Sequence, residues 1–418
     1  MKLITTTAIA LVAAATAAPA AAQYGASAPP PQTAAPPAQA KQAAQPQIKP
    51  SSKALKALVE LQDTVNKNDF ANIPAKVAAA QAVASTKEDR YLIGQLELKA
   101  AIAQKDSTAL ANAVDAVTSS GYIDAAKSSE LYMSLGGSFY NDKQYAKAQA
   151  AYQKAAAANP SNTEAPALLG EALFAQGQKA EAAAAFQRAI QAKVAAGQKP
   201  DETLLKRATV VAYEAESPIA VDLGRQWASA YPSTDSWRNS IAIYRNLNHP
   251  DVEGTIDLLR LMQATRSMTS PGDYGLFARA TAEQNNFNEA QAVIDAGIAA
   301  KLVDPANSEF RDIVAGLKAK PKATAADLAA ATKSAQSGMA LLRIGDRYYA
   351  MGNYAKAVEL YRMAMGKPGV DKDVANLHIG MALARSGDKA GASAALNSVT
   401  GERAGIAKFW MAYVGQKS

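Results

Sequence analysis

The chain contains no cysteine and only two histidines. Without thiols there can be no disulfide staple, no thiolate zinc site and no cysteine nucleophile, and two imidazoles leave little for histidine-based catalysis. Lys and Arg total 44 against 37 Asp and Glu, a formal charge of +7, yet the basic residues form no Lys/Arg-rich run of the kind that marks nucleic-acid or anionic-membrane patches. The excess reads as a solvated, mildly basic surface. Also missing are a Gly-x4-Gly-Lys-Ser/Thr loop, a Gly-x-Gly-x2-Gly turn, a His-Glu-x2-His zinc helix and a Gly-x-Ser-x-Gly nucleophile elbow. Nothing here calls for a cofactor or a metal. Past the first residues, no stretch is apolar enough to span a bilayer.

What is present begins with a leader. Lys2, the apolar run Leu3 to Ala18 and the small residues Ala20-Ala21-Ala22 before Gln23 have the order of a secretory signal peptide, so residues 1–22 are expected to be cleaved. The short Ala-rich leader fits export into the periplasm of a Gram-negative bacterium, and the absence of cysteine excludes a lipoprotein-type anchor. Residues 23–50 read as an Ala/Pro-rich disordered tether, because Pro29, Pro30, Pro31, Pro36 and Pro37 stand among Ala, Gln and Ser with hardly a large apolar side chain. Such a segment cannot bury a core.

The folded part follows one pattern, clearest from Ser129 to Asn162. Tyr132-x2-Leu135-Gly136-x2-Phe139 is followed by Ala148-x3-Tyr152 and Pro160; residues 165–196 repeat it with Leu169-Gly170, Leu173, Ala182, Phe186 and Ala189. Late in the chain, Leu341-x2-Ile344-Gly345-x2-Tyr348 with Ala357-x3-Tyr361 and Pro368 precedes Ile379-Gly380, Leu383, Ala392 and Leu396. Counterparts of Gly136 recur every 33 to 38 residues at Leu61, Leu98, Gly170, Ala208, Ile241, Ala278, Asp312, Gly345 and Gly380. Prolines fall at the junctions between units or at the turns inside them, where a helix tolerates them. The unit at Pro305 fits least, with Asp312 where a small residue is wanted and a polar turn around Pro321; a softer joint is expected there.

These motifs resemble the tetratricopeptide-repeat superfamily. The resemblance implies an all-α fold, a right-handed α-solenoid of stacked antiparallel helix pairs. Its first helices would line a concave groove and its second helices would form the outer wall, as one elongated body. The expected division is 51–128 divergent repeats, 129–196 a clear pair, 197–337 divergent repeats, 338–403 a clear pair and 404–418 a capping helix with a polar tail. In that last stretch Ile406, Phe409, Trp410 and Val414 stand at helical spacing. Ser51 or Ser52 is expected to cap the first helix. His249 and His378 read as surface or packing residues, and Glu88 and Asp89 as helix-start charges.

The resemblance also implies which side chains face the groove. On the matching first-helix positions these are Met133, Tyr140, Asn141, Phe174 and Tyr213 in the earlier units. In the later units they are Arg238, Arg245, Asn246, Arg279, Arg343, Asp346, Tyr349 and Arg385. The groove would pass from aromatic to basic, and Arg can clasp a carboxylate with two hydrogen bonds. The two-Arg/Asn clamp that some family members use for a terminal carboxylate is not matched. Alternatively these side chains pair with neighbours, as Arg343 and Asp346 would three apart on one helix. The expected function is a non-catalytic scaffold of the bacterial cell envelope that binds an extended peptide or another envelope protein. The competing reading is an envelope enzyme or receptor for peptidoglycan or polysaccharide fragments built on the same superhelix.

Overall fold

A computed structural model describes residues 48–416. The leader and all but the last three residues of the tether lie outside the described residues. Within them the chain is all-α, an α-solenoid of 21 α-helices with no strand. It divides into two compact units, one ending at Pro200 and the other beginning at Asp201. The expectation of a single body is thereby corrected, and the break lies far from the joint anticipated at Pro305 to Lys322.

Unit 1 stacks four helix pairs. They are α1 (Leu55–Asn66) with α2 (Ile73–Val83), α3 (Lys87–Gln104) with α4 (Ser107–Ser119), α5 (Ala125–Asn141) with α6 (Tyr145–Ala158), and α7 (Ala165–Ala175) with α8 (Lys179–Ala195). Small residues set the spacing. A Cβ on Gly136 would stand 2.5 Å from the Tyr152 ring and one on Gly170 would stand 3.0 Å from the Phe186 ring, so α5 meets α6, and α7 meets α8, through an aromatic ring laid on bare backbone. In α3 the corresponding contact is made by Gly94 against Val117, not by Leu98, which is only half-buried; the assigned register there was one turn late. The N-cap of α1 is Ala54, with no side-chain cap bond, so the expected serine cap is corrected; the Ser51 hydroxyl accepts from the Ala54 amide. The Ser51 backbone N–H and hydroxyl both donate to Asp89, at 2.7 Å each, and tie the residues just before α1 to α3. Asp89 also closes a capping box with Thr86. Burial pushes its carboxyl up, but donors from Ser51, Ser85 and Thr86 outweigh that and hold it well below the carboxylate range.

Unit 2 begins in the same way. α9 (Glu202–Glu214) pairs with α10 (Ile219–Ala230), α11 (Thr234–Asn248) precedes α12 (Val252–Ala264), and α13 (Pro271–Glu283) pairs with α14 (Phe287–Ala299). The next two helices, α15 (Ser308–Lys318) and α16 (Ala325–Ser334), barely touch each other, and α16 buries only Leu328. Asp312 lies on the exposed side of α15. After them α17 (Gly338–Ala350) packs directly on α14, followed by α18 (Tyr354–Met365), α19 (Lys372–Ser386), α20 (Lys389–Asn397) and α21 (Ala404–Gln416). The joint expected near Pro305 is therefore a turning point, across which one hydrophobic core runs from Ala228 to Val414.

The turn folds the end of the chain back onto the second helices of the earlier pairs. α21 touches α10 and α12 as well as α19 and α20. Trp410 is fully buried and donates through Nε1 to the Asp257 carbonyl, while Gln416 donates to the Ala228 carbonyl. At the surface, Arg403 clasps Asp251 with two bonds of 2.7 Å. The expected cap thus covers a wall as well as an end. A second expectation is corrected with it, because the second helix α12 is no outer wall here. Every residue from Ile256 to Met262 is buried, as are nine residues of α19. A helix that is apolar nearly all round belongs inside a protein.

Candidate functional site

Folding back gives the first helices of unit 2 two different fates. On α17, Asp346 and Tyr349 of the face assigned to the groove are turned into the core, while Arg343 stays exposed and Arg385 on α19 is half-buried. Asp346 accepts from Tyr361 at 2.8 Å and lies 3.5 Å from Arg260, and His378 places Nε2 3.2 Å from Asp257 and Nδ1 3.1 Å from Asp346, although neither ring N–H is aligned for a linear hydrogen bond. Arg260 also clasps Glu289 with two bonds of 2.8 Å, and Asn286 donates to the same carboxylate. Three carboxylates and two cations thus meet where α12 and α14 receive α17 and α19. Burial alone would drive the His378 proton off; the two flanking carboxylates win and push its pKa up to about 10. Asp346 shows the mirror case, raised by burial but held well below the carboxylate range by His378 and Arg260.

Tyr349 is buried beneath the Arg260 guanidinium, 5.0 Å from its ring centroid, and belongs to the core and not to a groove. Arg343 turns away from Asp346 and donates to the Gln284 carbonyl and side chain at the C-terminal end of α13, where Arg347 reaches the Asn285 carbonyl. The three-apart pair on α17 is not formed. Arg385 stacks on Tyr354 and donates to its hydroxyl. His378, read as a surface or packing histidine, is buried, and it packs between the Asp257 and Asp346 carboxylates. The sequence held a signal for it: Asp257 and Arg260 interrupt the apolar run from Ile256 to Met262 of α12, and His378 interrupts the apolar run from Leu377 to Leu383 of α19.

On α9, α11 and α13 the first-helix face stays open. Tyr213 accepts from Asn246 at 2.9 Å, which sets α9 beside α11, and Arg238 approaches Asp273 at 3.6 Å, which sets α11 beside α13. Along this face Arg279 and Asn246 are exposed, Arg238 and Arg245 are half-exposed, and Val210 adds an exposed apolar side chain. The Nε of Arg238 is enclosed without an acceptor. Burial lowers the pKa of the Arg245 guanidinium, which Asp273 only partly offsets. Asp273 has other duties, since its Oδ2 accepts from the Thr269 and Ser270 amides at the start of α13. Arg238 and Arg245 therefore draw on one carboxylate that already caps a helix, and the exposed Arg279 beside them makes no ion pair among the described residues. That arrangement has spare capacity to bind an anion.

In unit 1, the remaining assigned residues lie on α5 and α7. Met133 places its sulfur 2.9 Å from the Asn162 amide, Tyr140 meets Tyr145 edge to face at 5.3 Å, Phe174 is half-exposed and Asn141 is exposed. Apart from the Asn141 amide, their chemistry is apolar and aromatic. Among the described residues no helix is long and apolar enough to cross a membrane, and no three His, Asp or Glu side chains are placed to hold a metal ion.

Two profiles of the tetratricopeptide repeat match the chain, at residues 140–196 and at 339–367. No curated protein sequence matches it. Among solved structures it is similar to a tetratricopeptide repeat protein from Parabacteroides merdae, with 12% identity over 80% of this chain and 100% of that one at a TM-score of 0.24. The apo form of RapI is 14% identical over 75% of this chain and 96% of that one, at 0.28. A chain of Naa15/Naa10 bound to HypK-THB is 14% identical over 84% of this chain and 58% of that one, at 0.33.

Proposed function

We propose that this tetratricopeptide-repeat protein is a non-catalytic scaffold that binds a partner protein or an extended peptide, and that unit 2 recognises acidic residues through Arg238, Arg245 and Arg279. The observation that carries this reading is the open face of α9, α11 and α13, where Arg238 and Arg245 draw on one carboxylate committed to a helix start and Arg279 is exposed without an ion pair among the described residues. A partner's Asp, Glu or terminal carboxylate would complete the pairing. Tyr213 and Val210 offer apolar contact beside it, and Asn246 offers a donor and an acceptor. The aromatic face of α5 and α7 suits apolar side chains instead. The leader at residues 1–22 supports placing this activity in the bacterial periplasm, with another envelope protein as the partner.

Selection from a random peptide library against the mature chain tests the reading. Acidic peptides should be enriched, their binding should weaken steeply with salt, and Arg245→Glu with Arg279→Glu should reduce it at least tenfold. Enrichment of neutral or basic peptides, or equal binding by the double variant, would reject the arginine face as the site. Export is checked separately, by sequencing the N-terminus of the protein recovered from the periplasm, where Gln23 should be first.

A further inference from the structure

Unit 1 contains a pocket on the opposite chemical footing. It has a volume of about 210 Å³ and lies where the end of α2 (Gln81, Ala84) and the end of α4 (Ala116, Ser119, Ser120) flank α3, with Arg90, Ile93 and Glu97. Glu97 is the exception among the buried or paired carboxylates of this unit. Asp89 has its ring of donors, Glu60 has Lys76 at 2.8 Å, and Asp115 has Lys154 at 2.6 Å and the Tyr132 hydroxyl. One Glu97 oxygen, Oε2, is enclosed with no donor at all. Burial raises the pKa of this carboxyl, and no nearby charge opposes that.

The rest of the lining points the same way. The Ser119 hydroxyl donates to the Asp115 carbonyl at 2.6 Å, and the Ser120 hydroxyl donates to the Val117 carbonyl at 2.7 Å. The Ser120 oxygen also takes the Tyr122 amide. With both hydroxyl hydrogens committed to backbone, the end of α4 offers lone pairs and not hydrogens. Ala84, Ile93 and Ala116 supply apolar wall. Arg90 lines the pocket but makes no ion pair with Glu97 among the described residues. A volume of this size falls short of the roughly 300 Å³ at which drug-sized sites begin, and it suits a single alkyl chain with a small head.

We propose that this pocket binds a primary alkylammonium group, with the Glu97 carboxylate as its counter-ion, the Ser119 oxygen as a further acceptor and the alkyl chain against Ile93, Ala84 and Ala116. The group belongs either to a free aliphatic amine or to a lysine side chain of a partner. An isolated carboxylate beside apolar wall is costly in the empty pocket, and a cation removes that cost.

Calorimetric titration of the full mature chain with n-butylammonium, 1,5-diaminopentane and N-acetyl-Ala-Lys-Ala-amide tests the proposal. At least one probe should saturate. Glu97→Gln keeps the shape and removes the charge, so it should weaken binding at least tenfold while the thermal transition stays in place. Ala116→Leu fills the pocket without touching the charge and should do the same, which protects the test if the first variant folds poorly. Arg90→Gln should bind as well or better. Saturation by the free amines but not the peptide assigns the site to a small molecule, and the reverse assigns it to a partner's lysine. No saturation by any probe, undiminished binding by Glu97→Gln, or loss of binding in Arg90→Gln would each overturn it.

Discussion

Helices α13 and α17 are both first helices of a repeat, and both carry arginines where the family pattern points toward a ligand. On α13, Arg279 is exposed on an open face; on α17, Asp346 and Tyr349 are sealed against α12 and α14, and Arg343 is spent on the end of α13. The helices are alike, and their surroundings are not. A repeat motif fixes how two helices pack on each other, but it leaves open what later covers the pair. In unit 2 the loosely packed α15 and α16 let the chain reverse, and the reversal decides which first helices keep a surface.

The comparison breaks most severely at Arg260. Arg260→Met leaves Glu289, Asp346 and Asp257 buried with too little positive charge, and removing one partner of a buried pair costs about 3–5 kcal/mol. Chemical denaturation should show unit 2 losing that much while amide exchange in α5 to α8 is unchanged. A loss shared by both units would mean that the cluster does not act locally. Trp410→Ala attacks the returning helix itself. Emptying so large a buried site costs roughly 3–5 kcal/mol, and exchange should rise in α12 and α21 together.

The same cluster gives unit 2 a dependence on pH. His378 has its pKa raised to about 10 from an ordinary 6.5, so the folded state holds a proton that the unfolded state has released. Its stabilisation is complete below about pH 6.5 and fades as pH rises toward 10. Between those limits the stability of unit 2 should fall by up to about 1.4 kcal/mol per pH unit. The titration series should be flatter in His378→Gln. A parent protein whose stability stays flat over that window would show that His378 is neutral when folded. The smallest effect belongs to the open face, where Arg279→Glu should change stability by less than about 0.5 kcal/mol. A large loss there would mean that α13 is covered as α17 is.

Much of the local architecture is legible in the sequence, because close approach of two helices demands a small residue. Gly136, Gly170, Gly345 and Gly380 each meet a side chain of the paired helix, and each is visible from composition alone. Leu98 misled because α3 is long and its small residue, Gly94, stands a turn earlier. The fold-back is a different matter. It rests on contacts such as Arg260 with Asp346 and Trp237 with Gln416, which join distant parts of the chain and leave no periodic trace. A weaker clue was available. Ile256 to Met262 is apolar on every face except for Asp257 and Arg260, and a helix of that kind has to be enclosed with its charges paired. The open arginine face was legible residue by residue, but its separation from Arg343, Asp346, Tyr349 and Arg385 was not.

The absence of cysteine makes the central claim directly testable. Asp251→Cys with Arg403→Cys would place the only two thiols of the protein where α12 and the start of α21 are held together by the surface ion pair. With a short thiol-to-thiol crosslinker the account predicts a rapid intramolecular link that is independent of protein concentration. Thiols that react only between molecules, or not at all, would show that the end of the chain does not return to α12, and the division into an open and a covered set of first helices would fall with it.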